Sequence, residues 1–346
     1  MTRRNRLTRR AFLSLGATAL LAGCTGDVTG TSAGTSGSKD TDGSSSSDVR
    51  ELVEPTGSPT YSGIEQGHVS PDPAGMEGTV LSAAVDLARS QTFFLWEEGN
   101  VPATTDASAD GTGSDPAGFR PSLTSYPVPE GTPVKGAMLL CSGGAFRIRS
   151  DNAEGGPSAG AFARLGYQSF VVDYRIRPYT QQEGGVDLAR AICFVHAHAE
   201  DYGLPNTDAI AIGGFSAGGI QCGETLLNWK ADVSPQTLDP SYVPDTLDSV
   251  SASAAACAMV YSFYGRLSVA EKDGDVLLAG NLPPTYYCYG TEDPFYDQFE
   301  GQVGLMNQLG YTVRARVLDG WPHGFGAEGG WIPEFDRFAQ EAFAVA

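Results

Sequence analysis

The segment that most constrains the fold of this chain is residues 214–218, which read Gly-Phe-Ser-Ala-Gly. It follows the apolar run 209–212 and precedes a predicted helix over residues 219–229. A Gly-x-Ser-x-Gly sequence between a strand and a helix is typical of a nucleophile elbow, a sharp turn that lifts the serine hydroxyl clear of the backbone. Side chains two residues before and after the serine would collide in such a turn, so both positions need glycine. Ser216 is therefore predicted to be a nucleophile, and the N-terminus of the following helix would favour negative charge developing beside it.

Short apolar runs alternate with segments of helical spacing along much of the chain. Strands are predicted at 137–141, 169–174, 209–212, 256–261, 285–289 and 312–318, and helices at 158–165, 186–201, 219–229 and 333–344. Continuous apolar strands separated by helices indicate an α/β fold, in which a mostly parallel sheet is covered by helices on both faces. Sites in such sheets lie at the carboxyl ends of the strands, so the residues that follow each strand are the functional candidates.

The composition excludes several classes of function. The formal net charge of −19 argues against a nucleic-acid partner, because a phosphate backbone requires clustered Lys and Arg. The sequence contains no Cys-x-x-Cys pair and no His-Glu-x-x-His helix, so we expect neither a metal site nor a cofactor.

A serine hydroxyl needs a base within hydrogen-bond reach, and the chain offers four histidines. His68 precedes the predicted sheet, and His196 and His198 lie in a predicted helix, where surface or packing roles are the simpler interpretation. His323 lies in the Gly-rich loop 320–326, directly after the last predicted strand. This position fits the chain order Ser…Asp…His and favours His323 as the base over a merely solvated loop residue.

The base needs a carboxylate to hold its tautomer and stabilise the imidazolium. Residues 290–297 follow the strand predicted at 285–289 and contain three acidic side chains. We select Asp293, with Glu292 and Asp297 as rivals; Asp297 is also suited to capping the next helix.

Acyl transfer also needs N–H donors for an oxyanion. The backbone N–H of Ala217, directly after the nucleophile, is one candidate, and Gly143 and Gly144, which follow the strand 137–141, are the others. The alternative for the two glycines is a simple turn.

Three aromatic residues flank these loops. We expect Phe146, Trp321 and Phe325 to line a sugar or aryl pocket, although aromatic residues more often belong to a core.

The N-terminus reads as an export signal. Residues 1–23 contain a basic segment, a twin-arginine-like sequence and an apolar segment too short to span a bilayer, and Leu-Ala-Gly leads into Cys24. We predict that Cys24 is lipidated; the alternative is an ordinary signal peptide that contains a cysteine. Residues 24–60 are predicted to be a flexible Gly/Ser/Thr/Asp tether and residues 61–346 a single domain. The five later cysteines are odd in number, so at least one is unpaired, and buried thiols are the simple interpretation.

Over residues 96–343 the chain resembles the α/β-hydrolase carboxylesterases, near the hormone-sensitive-lipase-like and acetyl-xylan-esterase-like branches. The resemblance is carried by Tyr-Arg-Ile-Arg-Pro at 174–178, Leu-Ala-Arg-Ala at 188–191, Tyr-Gly-Leu at 202–204, Ser-Ala-Gly-Gly at 216–219 and Pro-Pro-Thr at 283–285. The chain departs from the family at the oxyanion loop, where Ser142 and Ala145 flank the two glycines, and at Gln221, where a histidine is common.

The resemblance implies a serine esterase that removes short acyl or aryl groups from carbohydrates, and the N-terminal segment predicts that it is lipid-anchored on the outer face of the cell membrane. The expected partner is a small-molecule or oligosaccharide ester, and the expected membrane contact is the N-terminal anchor alone. Two alternatives stay open at this point: a peptidase or acyl-aminoacyl hydrolase on the same fold, and a catalytically silent surface binding protein.

Overall fold

A mostly parallel sheet runs through the part of the protein that the computed structural model describes, namely residues 50–53, 83–107, 114–228 and 235–346, with only the backbone described for 50–53. All of these residues belong to one contact unit, Ser47–Ala346. The second unit, Met1–Ser46, lies outside the described residues, and so does Cys24.

The main sheet has nine strands within the described ranges. In chain order, the strands are β1 Arg50–Val53, β2 Thr92–Phe94, β3 Ser122–Tyr126, β4 Gly136–Cys141, β5 Tyr167–Asp173, β6 Ile210–Phe215, β7 Ala256–Val260, β8 Gly265–Arg266, β9 Val269–Ala270, β10 Thr285–Gly290 and β11 Val313–Leu318. Their order across the sheet is β1-β11-β10-β7-β6-β4-β5-β3-β2, while β8 and β9 form a separate hairpin. Within the nine-stranded sheet, only the edge pairs β2–β3 and β3–β5 are antiparallel. The predicted mostly parallel α/β sheet is therefore confirmed.

Helices cover the sheet. They are α1 Gly155–Leu165, α2 Gln181–Ala197, α3 Ala217–Asn228, α4 Gly274–Ala279, α5 Tyr296–Gln308 and α6 Trp331–Phe343, with two 3-10 turns at Pro235–Thr237 and Thr246–Ser249. Every residue of β4, β6, β7 and β10 is buried. Because successive side chains of a strand point to opposite faces, this burial means that both faces of the central sheet are covered.

The sequence located the central elements and missed several peripheral ones. Each predicted strand and helix has an observed counterpart, although α2 begins five residues before its predicted start at 186. Thr180 explains the early start, because its side chain and that of Glu183 form a capping box with the backbone. The elements not predicted include β2, β3 and α4, and α5 was anticipated only as a helix that Asp297 could cap. Strand β1 lies inside the range 24–60 that was predicted to be a tether, and its backbone pairs with β11.

Two further features bear on the sequence predictions. The five cysteines within the described residues, Cys141, Cys193, Cys222, Cys257 and Cys288, are buried and unpaired. None of the helices in the described ranges combines the length and apolar composition that a membrane span requires.

A buried ion pair fixes the loop after β5 against α2. The guanidinium of Arg175 donates from Nε to Asp187 Oδ2 at 2.8 Å and from Nη2 to Oδ1 at 2.9 Å, and both side chains are fully buried. Asp187 also accepts from Trp96 Nε1 at 2.8 Å. Removing one member of such a pair leaves a buried charge without compensation.

We therefore expect Asp187→Asn to lower the free energy of unfolding by about 3 to 5 kcal/mol, measured by urea denaturation. The matched control is Asp86→Asn, because Asp86 pairs with Arg89 at the surface, where the arginine side chain is 75% exposed. The control should lose far less stability, since solvent screens exposed pairs. Equal losses in the two variants would contradict this account of the buried pair.

Candidate active site

The turn between β6 and α3 holds Ser216 in a left-handed backbone conformation, with φ at +50°. Only the lack of side chains at the flanking glycines permits this turn. A Cβ atom on Gly214 would lie 2.3 Å from the carbonyl carbon of Gly218, and one on Gly218 would lie 2.0 Å from the carbonyl oxygen of Cys141. The observed turn thus has the geometry of the predicted elbow, and its glycines are required by backbone contact.

The last residue of β7, Val260, and nearby Ser262 hold the elbow from the other side. The N–H of Ser216 donates to the Val260 carbonyl at 3.0 Å, and Ser262 Oγ donates to the Ser216 carbonyl at 2.7 Å. A Cβ on Gly219 would lie 2.4 Å from Ser262 Oγ, so the first turn of α3 rests directly on this serine. The backbone of Ser216 is therefore fixed at both its N–H and its carbonyl.

Ser216, His323 and Asp293 are joined by a continuous chain of hydrogen bonds. His323 Nε2 lies 2.8 Å from Ser216 Oγ, and His323 Nδ1 lies 2.6 Å from Asp293 Oδ2. The Asp293 side chain is fully buried, whereas that of His323 is 27% exposed. The second carboxylate oxygen of Asp293 accepts from the N–H of Phe295 at 2.9 Å, which fixes the carboxylate plane. This arrangement suits the imidazole tautomer that carries its proton on Nδ1.

The other acids and histidines that were considered make different contacts. Glu292 and Asp297 are exposed. His196 bonds through Nε2 to the Ser253 carbonyl at 3.0 Å, and His198 Nδ1 lies 2.7 Å from Asp201 Oδ2. His68 lies outside the described residues. Among the described histidines, the chain thus brings only His323 to the elbow.

The loop after β4 runs through three consecutive residues of positive φ: Gly144 at +127°, Ala145 at +56° and Phe146 at +55°. A Cβ on Gly144 would lie 2.3 Å from the carbonyl oxygen of Ile148, so this loop also needs its glycine. Within the described residues, the N–H groups of Gly144 and Ala145 donate to no protein acceptor. Ala217 is the first residue of α3, so its N–H has no acceptor inside the helix. These three N–H groups are available to an oxyanion.

Gly143 requires a correction. The sequence predicted that its N–H would donate to an oxyanion. In the structure this N–H instead donates to Glu154 Oε2 at 2.6 Å. The contribution of Gly143 is space, because a Cβ there would lie 2.6 Å from the Phe215 carbonyl oxygen and 2.9 Å from Ser216 Cβ.

Sequence reasoning missed Glu154 and Tyr261, which lie behind the loops of the site. Glu154 is buried, and its Oε1 accepts from the Tyr261 hydroxyl at 2.7 Å. Burial raises the pKa of the Glu154 carboxyl to about 7, although hydrogen bonds from Tyr261 and Gly143 oppose the rise. The Tyr261 ring also packs edge-on against the His323 imidazole, with ring centroids 4.8 Å apart. Neither residue belongs to a motif, so the sequence offered no signal for this pair.

The three predicted substrate-lining aromatic residues separate into two groups. Phe146 borders a pocket of about 300 Å³, whose other walls include Arg177, Tyr179, Gln181, Arg266 and Leu267. Trp321 and Phe325 are each only 2% exposed, and their rings pack together with centroids 5.5 Å apart. The expectation that they line a pocket is corrected. Both residues lie in the loop that carries His323, but their side chains belong to the hydrophobic core.

Comparison with known proteins agrees with this architecture. Residues 127–264 match the model of the BD-FAE family, a family of α/β-hydrolase esterases. No curated protein sequence matches the chain.

Solved structures also resemble the chain. The acetyl ester-xyloside bifunctional hydrolase from Caldicellulosiruptor lactoaceticus has a TM-score of 0.54 at 20% identity, covering 74% of this chain and 96% of that one. Esterase 2 from Thermogutta terrifontis, phosphonylated by cyclosarin, has a TM-score of 0.52 at 20% identity, covering 65% and 90%. The same esterase phosphorylated by paraoxon has a TM-score of 0.51 at 19% identity, covering 71% and 95%. The chain therefore has the α/β-hydrolase fold, and its segment 127–264 is similar to the domain that the BD-FAE family model describes.

The space at Gly143 gives a direct test of the site geometry. We expect Gly143→Ala to reduce hydrolysis of an activated ester by about 100-fold or more, because the new methyl group would displace the nucleophile by a distance that catalysis does not tolerate. The matched control is Gly160→Ala in α1, where the nearest atom to the new Cβ, Arg164 Nη1, is 3.6 Å away. The control should keep full activity and gain about 0.5 to 1 kcal/mol in stability, measured by urea denaturation. Equal activity in the two variants would refute the crowding at Gly143.

Proposed function

We propose that this protein is a serine carboxylic-ester hydrolase in which Ser216, His323 and Asp293 form a catalytic triad. The observation that carries the proposal is the unbroken hydrogen-bond chain from a buried carboxylate, through an imidazole, to a serine hydroxyl on a strained elbow, with distances of 2.6 and 2.8 Å. An esterase-family match over residues 127–264 supports the same reaction class.

Each group has a defined role in this mechanism. Ser216 Oγ attacks the ester carbonyl while His323 Nε2 takes its proton, and Asp293 stabilises the imidazolium that forms. The tetrahedral oxyanion is held by the N–H groups of Ala217, Gly144 and Ala145. His323 then returns the proton to the departing alcohol, which leaves an acyl-Ser216. Water, activated by His323, attacks this acyl-enzyme and releases the acid.

The substrate we propose is a short acyl or aryl ester of a carbohydrate. A fold neighbour is named as an acetyl ester-xyloside hydrolase, which supports acetylated sugars as the first substrates to test. A panel of acetyl, butyryl and feruloyl esters on free and sugar-linked alcohols, run beside aminoacyl-nitroanilides, tests this choice. Faster turnover of the nitroanilides would overturn it in favour of a peptidase.

The triad is tested by substitutions that preserve size. We expect Ser216→Ala to abolish hydrolysis of p-nitrophenyl acetate. Asp293→Asn should lower kcat by about 10³- to 10⁴-fold with little change in KM, because an amide stabilises the wrong imidazole tautomer. The control is Asp297→Asn, an identical change at an exposed position in the first turn of α5, which should keep kcat within about twofold. A kcat for Asp293→Asn close to that of the control would remove Asp293 from the mechanism.

We also propose that the protein is exported and held at the outer face of the bacterial membrane by a lipid on Cys24. The support is the sequence alone: the basic and apolar segments of residues 1–23 and the small residues before Cys24. A tether would let the catalytic domain reach a polymer or its oligosaccharide fragments.

The anchor has a simple test in cells. When the full chain is expressed in a bacterial host and extracted with Triton X-114, the wild type should partition into the detergent phase, because an acylated cysteine adds a large apolar group. Cys24→Ser should move the protein to the aqueous phase or leave it in an unprocessed form. Detergent partitioning unchanged by Cys24→Ser would contradict lipidation at this residue.

A further inference from the structure

Glu154 occupies the N-cap position of α1, yet its side chain makes no capping hydrogen bond. The first N–H groups of this helix are satisfied by other atoms: Gly155 N–H donates to Ser142 Oγ at 3.2 Å, and Gly156 N–H donates to the Asp151 carbonyl at 2.8 Å. The carboxylate is therefore not used by its own helix. It points instead into the space behind the site, where it is buried.

From there the carboxylate connects three catalytic loops. One oxygen accepts from the N–H of Gly143 in the oxyanion loop, at 2.6 Å, and the other accepts from the Tyr261 hydroxyl after β7, at 2.7 Å. The Tyr261 hydroxyl in turn accepts from the N–H of Gly326, in the loop that carries His323, at 3.1 Å. The positions of the oxyanion donors and of the base thus depend on one side chain.

A count of donors and acceptors shows which form of Glu154 fits. The network contains three donors, the N–H groups of Gly143 and Gly326 and the O–H of Tyr261, and the ionised carboxylate with the tyrosine oxygen accepts all three. Protonation of Glu154 adds a fourth donor and no acceptor, so one buried donor loses its partner. An unmet buried donor is unfavourable, so the network loosens when the carboxyl is protonated, even though burial of the charge raises the pKa of the carboxyl.

We propose that Glu154 is a positioning residue whose carboxylate sets the oxyanion loop and the His323 loop in register for the reaction. This inference rests on the proposed esterase function. In the proposed mechanism Glu154 contacts no reacting atom. Through Gly143 its side chain positions the N–H groups of Gly144 and Ala145. Through Tyr261 it positions His323.

The charges around Glu154 determine how the network responds to pH. The pKa of the Glu154 carboxyl is raised to about 7, chiefly by burial. Tyr261, Gly143 and His323 oppose this rise, and the neighbouring Asp151 adds to it. The Tyr174 hydroxyl, whose pKa burial raises well above its ordinary value, is neutral throughout this range. Ionisation of Glu154, and with it the ordered network, therefore develops as the pH rises through about 7.

Stability and activity should then change in opposite directions. Because the pKa of Glu154 in the folded protein, about 7, lies above its ordinary value of 4.5, the folded state holds this proton more tightly than the unfolded state does between these two values. The contribution of Glu154 to stability is thus complete below pH 4.5 and is lost as the pH rises through 7. Activity rises over the same interval, since the ionised form is the one that orders the loops.

The first test is Glu154→Gln, which keeps the volume but supplies only one good acceptor to the two donors. We expect kcat to fall about 10- to 100-fold with KM within about threefold, because the loss falls on transition-state donors. The part of the rise in kcat/KM that follows ionisation of Glu154, as the pH increases through about 7, should also be lost in the variant, because glutamine does not ionise. A kcat and a pH profile of kcat/KM in Glu154→Gln equal to those of the wild type, with Ser216→Ala inactive, would overturn the positioning role while leaving the esterase function intact.

The matched control is Glu334→Gln. Glu334 is also a buried glutamate that accepts from a tyrosine, Tyr286, at 2.9 Å, but its contact lies at the amino end of β10, the opposite end from Asp293. This control should lose stability without change in kcat or in the pH profile of kcat/KM. Tyr261→Phe, which keeps the ring against His323, should reproduce part of the effect of Glu154→Gln, and the double variant should lose less than the product of the two single losses.

A measurement independent of turnover completes the test. Amide hydrogen exchange at Gly143 and Gly326 should accelerate in Glu154→Gln at pH 8 and stay unchanged in Glu334→Gln. Unchanged exchange at both glycines in Glu154→Gln would refute the coupling between the loops. Absence of ester hydrolysis in the wild type would refute only the proposed function, and the exchange result would still decide whether Glu154 orders the two loops.

Discussion

The backbone contact between the elbow and the end of β4 is the constraint on which the rest of the site depends. Gly218 lies so close to the Cys141 carbonyl that even a methyl group has no room, and a methyl group on Gly143 would also collide with Phe215 and Ser216. Strands β4 and β6 are neighbours in the sheet and pair in parallel, so the oxyanion loop and the nucleophile leave the same edge side by side. Main-chain packing, which is much stiffer than side-chain contact, therefore limits how far the oxyanion loop can lie from the nucleophile, and the hydrogen bond from Gly143 to Glu154 sets the donors within that limit. This stiffness allows three residues of positive φ to persist in the oxyanion loop.

The same contact explains what the sequence could and could not predict. Ser216, Asp293 and His323 were identifiable because each follows its own apolar strand, and parallel strands bring their carboxyl ends to one edge. Thr180 and Glu183 carried a readable capping-box signal for the start of α2, at the spacing that marks helix N-termini. Strand β3 was missed because Ser122–Tyr126 reads Ser-Leu-Thr-Ser-Tyr, a pattern too polar to stand out as a buried strand. Glu154, Tyr261 and the burial of Trp321 and Phe325 depend on how loops distant in sequence pack together, and no local pattern contains that information.

The oxyanion loop shows that a motif can be located correctly from sequence while the acceptor of one N–H group in it, that of Gly143, is not. The two glycines were identified from their position after a strand, and both are required, but for different reasons. Gly144 adopts a φ of +127°, whereas Gly143 has to avoid the elbow while its N–H donates to Glu154. A glycine in the sequence pattern indicates that the position has no room for a side chain. The acceptor of the N–H there is decided by a carboxylate eleven residues later in the chain.

Two buried glutamates show why Glu154 is the one poised to titrate. Glu183 accepts five hydrogen bonds, from the N–H and hydroxyl groups of Thr105 and Thr180 and from the N–H of Thr104. Burial raises its pKa, but these donors together bring the pKa below its ordinary value, so Glu183 stays ionised. Glu154 accepts only two hydrogen bonds, from Gly143 and Tyr261, and there burial prevails, raising its pKa to about 7. Each donor is therefore a large share of what keeps Glu154 charged, and by linkage any movement that withdraws Gly143 or Tyr261 favours protonation. A carboxylate held by so few donors is sensitive to the position of both loops, and the loops are equally sensitive to its charge.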